Sequence, residues 1–448
     1  MQKKRKNSAY YPARILAFSF GGIILVGTLL LLLPISSRDG ASCGLVTALF
    51  TATSATCVTG LSVVDTLTSW TCFGQAVILL MIQLGGLGFM TLIFYLGTMM
   101  RRKPSLSQRL MMVSAFNLND MGDTVRFVKH ALKITLTFEG AGAVILTACF
   151  VPRYGRGAIW KGIFTAVSAF CNAGFDLFGP DGAGSLSSYS GNPVVLLTLC
   201  VLIIGGGLGF FVWEELLQKR SYHGLSLYSR MVIWLTAVLI IFGWLFFFCT
   251  EHSNQSTFGN MPLWQQLLNS LFQSVTLRTA GFTTIDQSAL TDVSQVICML
   301  FMLVGGSSGS TAGGIKTVTI GVLLLALREG LRGKESVTFR GRTIPQQKVI
   351  SALTLVLVVG GMLLTCSVII AIVDGIPYLT SAYEAASALG TVGLSATDVS
   401  KLSLFSRLLL IMMMYLGRVG ILSFSIAFMG QSGGKNKIRY PDTTVMIG

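Results

Sequence analysis

Long apolar runs dominate the chain, and polar stretches interrupt them at intervals. Eight of these runs approach or exceed the roughly 20 residues that a bilayer-crossing helix requires. Four shorter, less apolar segments of about a dozen residues lie between them, and a helix of that length cannot cross. The predicted segments, in four successive groups of long, short and long, are Ile15–Pro34, Gly44–Thr56 and Gly74–Met100; Ala131–Val151, Ala158–Phe170 and Pro193–Leu217; Tyr228–Cys249, Pro262–Thr276 and Asp292–Leu327; and Lys348–Val373, Tyr378–Leu389 and Leu402–Met429.

This order predicts an all-α membrane protein with eight transmembrane helices in four M1–P–M2 repeats. M1 and M2 are the long helices and P is a short re-entrant pore helix that ends at a filter loop. An even number of spans separates the short helices, so all four loops enter from one side and surround one pseudo-fourfold pore. The predicted division is an N-terminal segment 1–14, repeat 1 at 15–100, a loop at 101–130, repeat 2 at 131–218, repeat 3 at 228–327, a loop at 328–347, repeat 4 at 348–430 and a C-terminal segment 431–448.

Composition supports the membrane assignment. Only 11% of the residues are charged, 52% are hydrophobic, and the mean hydropathy is +0.71. Soluble globular domains carry about 25% charged residues. The nine cysteines contain no CxxC pair and the three histidines are isolated, so neither a zinc site nor a catalytic cluster is predicted. We therefore predict that the chain is not an enzyme and carries no cofactor of its own.

The net charge of +15 would suggest nucleic-acid binding in a soluble protein. Here, 24 of the 33 Lys and Arg residues fall at the termini and around the joins between repeats, in the ranges 3–14, 101–133, 219–230, 328–348 and 435–439. Cytoplasmic loops carry such an excess. The bias predicts cytoplasmic termini, filter loops at the outer face, and membrane lipid rather than nucleic acid as the surroundings. The basic run at 3–6 precedes an apolar segment too long for a signal peptide, which indicates a retained first helix.

One short motif follows each of the four short segments: a glycine with a small or hydroxylated residue before it and a large apolar residue after it. Non-helical backbone at membrane depth is tolerated only where it packs in protein or lines a watery path. Each loop also follows the negative end of a helix dipole, which favours a cation. We predict a K⁺ selectivity filter formed by Val58, Thr59 and Gly60; Asn172, Ala173 and Gly174; Thr279, Ala280 and Gly281; and Thr391, Val392 and Gly393.

Backbone carbonyls can replace the hydration shell of K⁺, and glycine adopts the required dihedrals without strain. No transition-metal site is predicted. The alternative is that these are ordinary turn glycines in a chain that has 50 of them. Acidic residues just beyond the loops could concentrate cations at an outer mouth, although helix capping is an alternative role for them. They are Asp65, Asp176, Asp286 and Asp398.

The inner helices carry a second aligned glycine motif. In repeats one and two it reads GGLGF, at 85–89 and 206–210, where close packing of continuous helices explains it. In repeat three a run too flexible for a helix interior replaces it. We predict that this run is a gate beneath the filter, formed by Gly305, Gly306, Ser307, Ser308, Gly309, Ser310, Thr311, Ala312, Gly313 and Gly314.

Three basic residues lie near this predicted gate at membrane depth. Arg418 takes the place of a glycine in repeat four, and a charge at such depth is usually functional. In the ion path, its charge would form an electrostatic barrier to cations. Either an acidic side chain or carbonyls of the segment 305–314 could hold it there. Arg278 is expected to brace the third filter loop from behind, and Lys316 either anchors the gate or extends towards the interface.

These motifs resemble the Trk/Ktr/HKT superfamily of potassium transporters over essentially the whole chain. The likeness rests on four M1–P–M2 repeats and on RTAGF at 278–282, GTVGL at 390–394, GSTAGGIK at 309–316 and GRVG at 417–420. Two features look more like the bacterial Ktr membrane subunit, KtrB, than Trk: no helix pair precedes the first repeat, and the chain ends in YPDTTVMIG at 440–448. Cys57 and Cys171 depart from the family, in which Thr and Asn are expected three residues before the glycine.

The resemblance implies a multi-pass K⁺ uptake protein of a bacterial plasma membrane, active as a homodimer with one pore per subunit. It implies a cytosolic ring of RCK/KTN-type regulatory subunits that bind adenine nucleotides. It also implies that 305–314 is an intramembrane gating loop with Arg418 as its counter-charge. Gly60 favours K⁺ over Na⁺, while Na⁺ coupling stays open. The alternative function is a secondary carrier of another solute, with a midplane site formed by broken helices.

Overall fold

The computed structural model describes residues 10–88, 124–179, 185–334 and 336–420. Within these ranges the chain is almost entirely helical, as the sequence predicts. The principal helices are α1 (Tyr10–Leu31), α2 (Leu45–Cys57), α3 (Cys72–Leu87), α4 (Thr124–Tyr154), α5 (Ala158–Phe170), α6 (Pro193–Gly207), α7 (Phe210–Lys219), α8 (Leu227–Glu251), α9 (Leu263–Thr276), α10 (Asp292–Leu303), α11 (Thr317–Leu331), α12 (Gln346–Asp374), α13 (Tyr378–Gly390) and α14 (Leu404–Val419).

The strands of the described chain, β1 (Thr338–Phe339) and β2 (Arg342–Thr343), form a two-residue antiparallel hairpin between α11 and α12. Several helices start at residues that satisfy their first N–H groups. Asn192 accepts from Val194 and Val195 at the start of α6, whose first residue is Pro193. Ser226 and Ser403 act in the same way for α8 and α14.

Each short helix packs against the long helix that precedes it: α2 on α1, α5 on α4, α9 on α8 and α13 on α12. The inner helix of each group then packs against the short helix of the next group. These contacts join α3 to α5, α6 to α9, α10 to α13 and, finally, α14 to α2. The four groups therefore close into a ring in chain order.

The short helices form the interior of this ring. In α13, every residue from Ser381 to Gly390 is buried, and α2 is buried from Phe50 to Cys57. The outer helices instead expose large apolar side chains, such as Trp234 and Phe242 on α8 and Leu357 on α12. Apolar side chains on the outside and buried polar ones at the centre are the distribution expected of a protein surrounded by lipid.

Three continuous helical stretches of the described chain are long and apolar enough to cross a membrane: Arg126–Phe170, Leu227–Glu251 and Gln346–Asp374. The bent pair α6 and α7 adds a fourth if it is counted as one span. The eight spans therefore stay a prediction. The predicted ends of two inner helices, near Met100 and Met429, lie outside the described residues, as do most of the loop at 101–130 and the C-terminal segment.

The inner helices of repeats two and three are interrupted. The segment predicted as one helix over Pro193–Leu217 bends by 96° between α6 and α7. Gly209 lies at the bend with φ 90°, and the N–H of Phe210 donates to the carbonyl of Gly309 at 3.0 Å. The expectation of a continuous helix was wrong here, because the third repeat supplies an acceptor for a residue at the break. In repeat three the chain leaves helix between Leu303 and Thr317, where a break is predicted.

Candidate functional site

The four glycine loops share one backbone conformation. The filter glycines all have positive φ: 95° at Gly60, 70° at Gly174, 81° at Gly281 and 94° at Gly393. Two residues before each glycine, a non-glycine residue also has positive φ, between 53° and 64°. These residues are Val58, Asn172, Thr279 and Thr391. A β-branched residue in the left-handed region is strained, and backbone strain of this kind is concentrated at functional sites.

The loops meet one another at their glycines. A Cβ atom built on any of the four would collide with the carbonyl oxygen that precedes another filter glycine. The colliding pairs are the Cβ on Gly60 with the carbonyl oxygen of Ala173, Gly174 with that of Ala280, Gly281 with that of Val392 and Gly393 with that of Thr59. They form a closed circuit in chain order, so the structure brings all four predicted filter loops together at one place.

Backbone N–H groups of the loops turn back towards the short helices. The N–H of Thr59 donates to the carbonyl of Ser54 at 2.8 Å, and the N–H of Gly60 donates to the Ser54 hydroxyl at 3.1 Å. Val392 and Gly393 make the same pair of bonds to Ser387, at 2.8 and 3.0 Å. Because the donors face the helix, carbonyl oxygens are left at the meeting point of the loops, where a cation could bind them.

The third loop departs from this scheme. The N–H of Ala280 donates to the carbonyl of Thr276 at 2.9 Å, four residues earlier in the chain, whereas the corresponding bond in the other loops reaches back five residues. Val275 occupies the position in this loop that corresponds to Ser54 in the first loop. Its carbonyl at Arg278 instead accepts from the side-chain amide of Asn172 at 3.1 Å. The second and third filter loops are therefore tied together by a side chain from the former.

The predicted gate segment lies directly beneath these loops. The hydroxyl of Thr311 donates to the carbonyl of Phe170 at 3.0 Å and lies 3.4 Å from the Asn172 side-chain oxygen. A Cβ on Gly313 would collide with the Thr391 hydroxyl. The segment thus touches the second and the fourth filter loops, which lie opposite each other in the ring.

Backbone hydrogen bonds hold the gate segment in place. The N–H groups of Ser307 and Thr311 donate to the carbonyls of Gly207 and Gly206, at 3.0 and 3.2 Å. At its base, Gly305 and Ile315 are joined by an N–H to carbonyl bond of 2.9 Å. These bonds hold the segment against the broken end of α6.

Arg418 is held by carbonyl oxygens from two repeats. Its guanidinium donates to the carbonyls of Thr311 in the gate segment, Gly85 at 2.6 Å and Gly86 at 3.2 Å. Of the two kinds of partner considered from the sequence, the structure shows loop carbonyls. The side chain joins the end of α14 to the gate segment and to the end of α3.

The two other basic residues near the gate also bind carbonyls. The guanidinium of Arg278 donates to the carbonyl of Gly305 at 3.4 Å, so it connects the third filter loop to the start of the gate segment. The ammonium of Lys316 donates to the carbonyls of Ala312 and Gly313, at 2.7 and 3.4 Å. Lys316 therefore anchors the end of the segment locally. A cavity of about 250 Å³, lined in part by Lys316, Leu389 and Gly417, adjoins it.

The predicted outer acids act as caps of short turns. Asp65, Asp286 and Asp398 are exposed, and each accepts a backbone N–H, from Thr68 at 2.7 Å, Ser288 at 2.9 Å and Ser400 at 3.0 Å. The Ser400 hydroxyl also donates to Asp398 and is the main cause that lowers the pKa of that carboxyl. Asp176 is partly buried and accepts from the N–H of Phe178 at 2.9 Å. Capping does not remove their charge, so both roles suggested by the sequence remain compatible.

A polar cluster that was not predicted from the sequence lies behind the second filter loop. Glu139 of α4 is buried and accepts from the side-chain amide of Gln83 at 3.2 Å, with the Cys171 thiol 3.7 Å away. Cys57, the other family departure, is fully buried as well. An acid inside an apolar helix was the available signal for Glu139. Among the described residues, no three His, Cys, Asp or Glu side chains group as a metal site.

Comparisons with known proteins identify the family of the chain. The family model described as TrkH, cation transport protein, matches residues 14–436. The potassium/sodium uptake protein NtpJ of Enterococcus hirae is 38% identical, with 100% of both chains covered. The Ktr system potassium uptake protein B of Bacillus subtilis is 37% identical over 98% of this chain and 97% of its own.

A solved structure has the same fold. The potassium transporter TrkH of Vibrio parahaemolyticus aligns with a TM-score of 0.72 at 19% identity, and the alignment covers 92% of this chain and 84% of that one. At this identity the match concerns the fold alone. The family predicted from the motifs is confirmed by the family model and by the two full-length relatives. The chain belongs to the TrkH family of cation transport proteins.

Proposed function

We propose that this membrane transport protein, which is not an enzyme, is the potassium-translocating pore subunit of a bacterial K⁺ uptake system. The observation that carries the proposal is the closed circuit of four filter glycines, each packed against the carbonyl before another filter glycine. Four copies of one loop conformation give an ion several equivalent carbonyl ligands around one axis. A cage of neutral carbonyl oxygens suits K⁺, which is weakly hydrated.

The ends of the short helices support a cation at this point. The filter loops follow the C-terminal ends of α2, α5, α9 and α13 directly. Each helix end carries about half a negative charge. Most of the side chains around these ends are uncharged, so the helix ends and the loop carbonyls supply much of the attraction. Selection then depends on backbone geometry, which is why the glycines matter more than their neighbours.

The segment 305–314 and Arg418 act as the gate in this proposal. The segment lies under two opposite filter loops, and Arg418 contributes a positive charge beside it. A cation that leaves the filter would be repelled by this charge and blocked by the backbone of the segment. Opening requires the segment to move, and the adjacent cavity of about 250 Å³ offers room for a displacement.

The proposal also covers the membrane topology of the protein and its partners. The eight long apolar runs support eight spans, and the distribution of Lys and Arg supports cytoplasmic termini and outward-facing filter loops. Ktr-system relatives are named as parts of a system, which supports a further component that acts with this chain. In this proposal that component is a cytosolic regulatory subunit of RCK/KTN type that binds adenine nucleotide, and the chain forms a homodimer in the membrane. The name of the Enterococcus relative includes sodium. Na⁺ should therefore be tested both as a coupling ion and as a competitor of K⁺.

Flux of ⁸⁶Rb⁺ into proteoliposomes tests the function. We expect uptake that external K⁺ inhibits strongly and external Na⁺ inhibits weakly. Added Na⁺ that instead stimulates uptake at fixed K⁺ would assign it a coupling role. Equal inhibition by K⁺ and Na⁺, or no Rb⁺ uptake by folded protein with or without a regulatory subunit, would overturn the K⁺ pore.

A further inference from the structure

A carboxylate that has no role in the proposed filter or gate is buried behind the fourth filter loop. Glu384 lies within α13 and is fully shielded from solvent. One of its oxygens, Oε1, accepts from the N–H of Ala396 at 2.8 Å, the N–H of Thr397 at 3.2 Å and the hydroxyl of Ser395 at 2.8 Å. A single oxygen thus gathers two backbone N–H groups and a hydroxyl from the residues just outside Gly393, and this hydroxyl also lies 2.5 Å from the carbonyl of Thr397.

No cation neutralises this carboxylate in the part of the chain that the structure describes. None of the ion pairs there includes Glu384. Its second oxygen, Oε2, is buried without a hydrogen-bond partner. Hydrogen bonds from amides to an ionised acceptor are short and strong. Such bonds favour the ionised form of the carboxyl, while its burial without a counter-ion opposes that form.

The other three repeats have no counterpart to Glu384. The position nine residues before the filter glycine is occupied by Thr51, Thr165 and Phe272 in repeats one, two and three. All three are buried, and none can ionise. Among the four short helices, only that of repeat four therefore has a carboxylate at this position, and this carboxylate binds the outer end of its own filter loop.

We propose that Glu384 is a positioning residue that sets the cation specificity of the fourth filter loop. By binding the N–H groups of Ala396 and Thr397, the carboxylate keeps these donors from turning towards the ion path, where they would repel a cation. It also adds negative potential behind the loop, in an interior where charges are poorly screened. The inference rests on the K⁺ pore proposed above.

The test compares substitutions of Glu384 with a substitution of one of its donors. Glu384→Gln keeps the shape and removes the charge, Glu384→Ala removes both, and Ser395→Ala removes one donor while the carboxylate stays. Thr51→Val and Thr165→Val are matched controls at the same position of repeats one and two. The readouts are the apparent KM and maximal rate of ⁸⁶Rb⁺ uptake, and the ratio of K⁺ to Na⁺ inhibition.

We expect Glu384→Gln to reduce the preference for K⁺ over Na⁺ about tenfold, with a larger change in KM than in maximal rate. Glu384→Ala should have a greater effect, and Ser395→Ala a smaller effect in the same direction. Both threonine controls should stay near the wild type. A structural role alone would lower the amount of folded protein and leave these ratios unchanged.

Wild-type preference and KM in the folded fractions of both Glu384 variants would overturn the inference. If neither variant folds, Ser395→Ala decides, and an unchanged preference in that variant would overturn it too. Failure of the wild-type protein to discriminate K⁺ from Na⁺ would instead overturn the proposed function. The two failures are therefore distinguishable in one series of vesicles.

Discussion

The guanidinium of Arg418, at the end of α14, donates a hydrogen bond to the backbone carbonyl of Thr311 in the gate segment. The same side chain binds the carbonyls of Gly85 and Gly86 at the end of α3. The fourth repeat therefore holds a segment of the third repeat against the first. Loss of this connection should favour an open path.

Replacement of Arg418 by Gln should raise basal ⁸⁶Rb⁺ uptake in the absence of any regulatory subunit by at least about tenfold. The reason is that hydrogen bonds to a charged group each stabilise the closed arrangement by about 1.5–3 kcal/mol, and 1.4 kcal/mol corresponds to a factor of ten. Arg407→Gln, on the same helix, is the control and should leave basal uptake unchanged. Basal uptake that stays equal in both variants would contradict a gating role for Arg418.

The filter glycines should tolerate no side chain. Serine at Gly60, Gly174, Gly281 or Gly393 places a Cβ against a backbone carbonyl, so the ring must distort and its preference for K⁺ over Na⁺ should fall. Gly360→Ser on α12 is the control, because a Cβ there meets no atom within 4 Å. Competition of K⁺ and Na⁺ against Rb⁺ uptake measures the outcome. Undiminished preference in all four serine variants would exclude the filter.

The hydroxyl of Thr311 should hold the gate segment to the second filter loop through its bond to Phe170. Thr311→Val keeps the shape of the side chain and removes this bond, so we expect basal uptake to rise a few-fold. Thr365→Val removes an exposed hydroxyl that bonds only within α12 and serves as the control. Deletion of 307–313 should raise uptake further, and a deletion variant that folds but transports at the wild-type rate would rule out this gate.

The outer acids should affect the capture of ions more than their selection. Asparagine at Asp65, Asp286 or Asp398 retains a capping oxygen and removes one negative charge. We expect the apparent KM for Rb⁺ to rise about twofold at low salt and the difference to shrink at high salt, where charges are screened. An equal change at both ionic strengths would indicate altered structure instead.

The pH dependence of this contribution follows from Asp398. The pKa of its carboxyl lies below the ordinary value, chiefly because the Ser400 hydroxyl donates to it. The charge is therefore present above that lowered pKa and is lost as the pH falls through it. Rb⁺ uptake by the wild type and by Asp398→Asn should differ by a constant factor across neutral pH. A difference that titrates in this range would assign the effect to another group.

Several features of the site were predictable from the sequence because they depend on glycine and on spacing. A glycine after each short apolar segment predicts the four loops, and the run at 305–314 predicts the break in the third inner helix. The left-handed conformation at Val58, Asn172, Thr279 and Thr391 was not predictable. Asn tolerates this conformation, but Val58, Thr279 and Thr391 are β-branched and avoid it, so the hydrogen bonds that end the short helices impose it on them.

Other features depend on contacts between repeats, which the local pattern of apolar and polar residues does not encode. The bend between α6 and α7 accompanies a bond from Phe210 to Gly309, about a hundred residues away in the chain. The acceptors of Arg418 belong to the first and third repeats. Glu384 was visible as an acid in a short apolar helix, but its donors lie beyond the filter glycine and become apparent only in the folded chain.

The packing of α14 against α2 has a consequence for biosynthesis. Arg418 and its acceptor Gly85 are 333 residues apart in the chain, so the circuit closes only when the last repeat has been inserted. Until then the first short helix, with its buried hydroxyl groups, lacks one neighbour in the bilayer. Nascent chains that stop before α14 should therefore stay incompletely packed, with the face of α2 that α14 covers left without its neighbour.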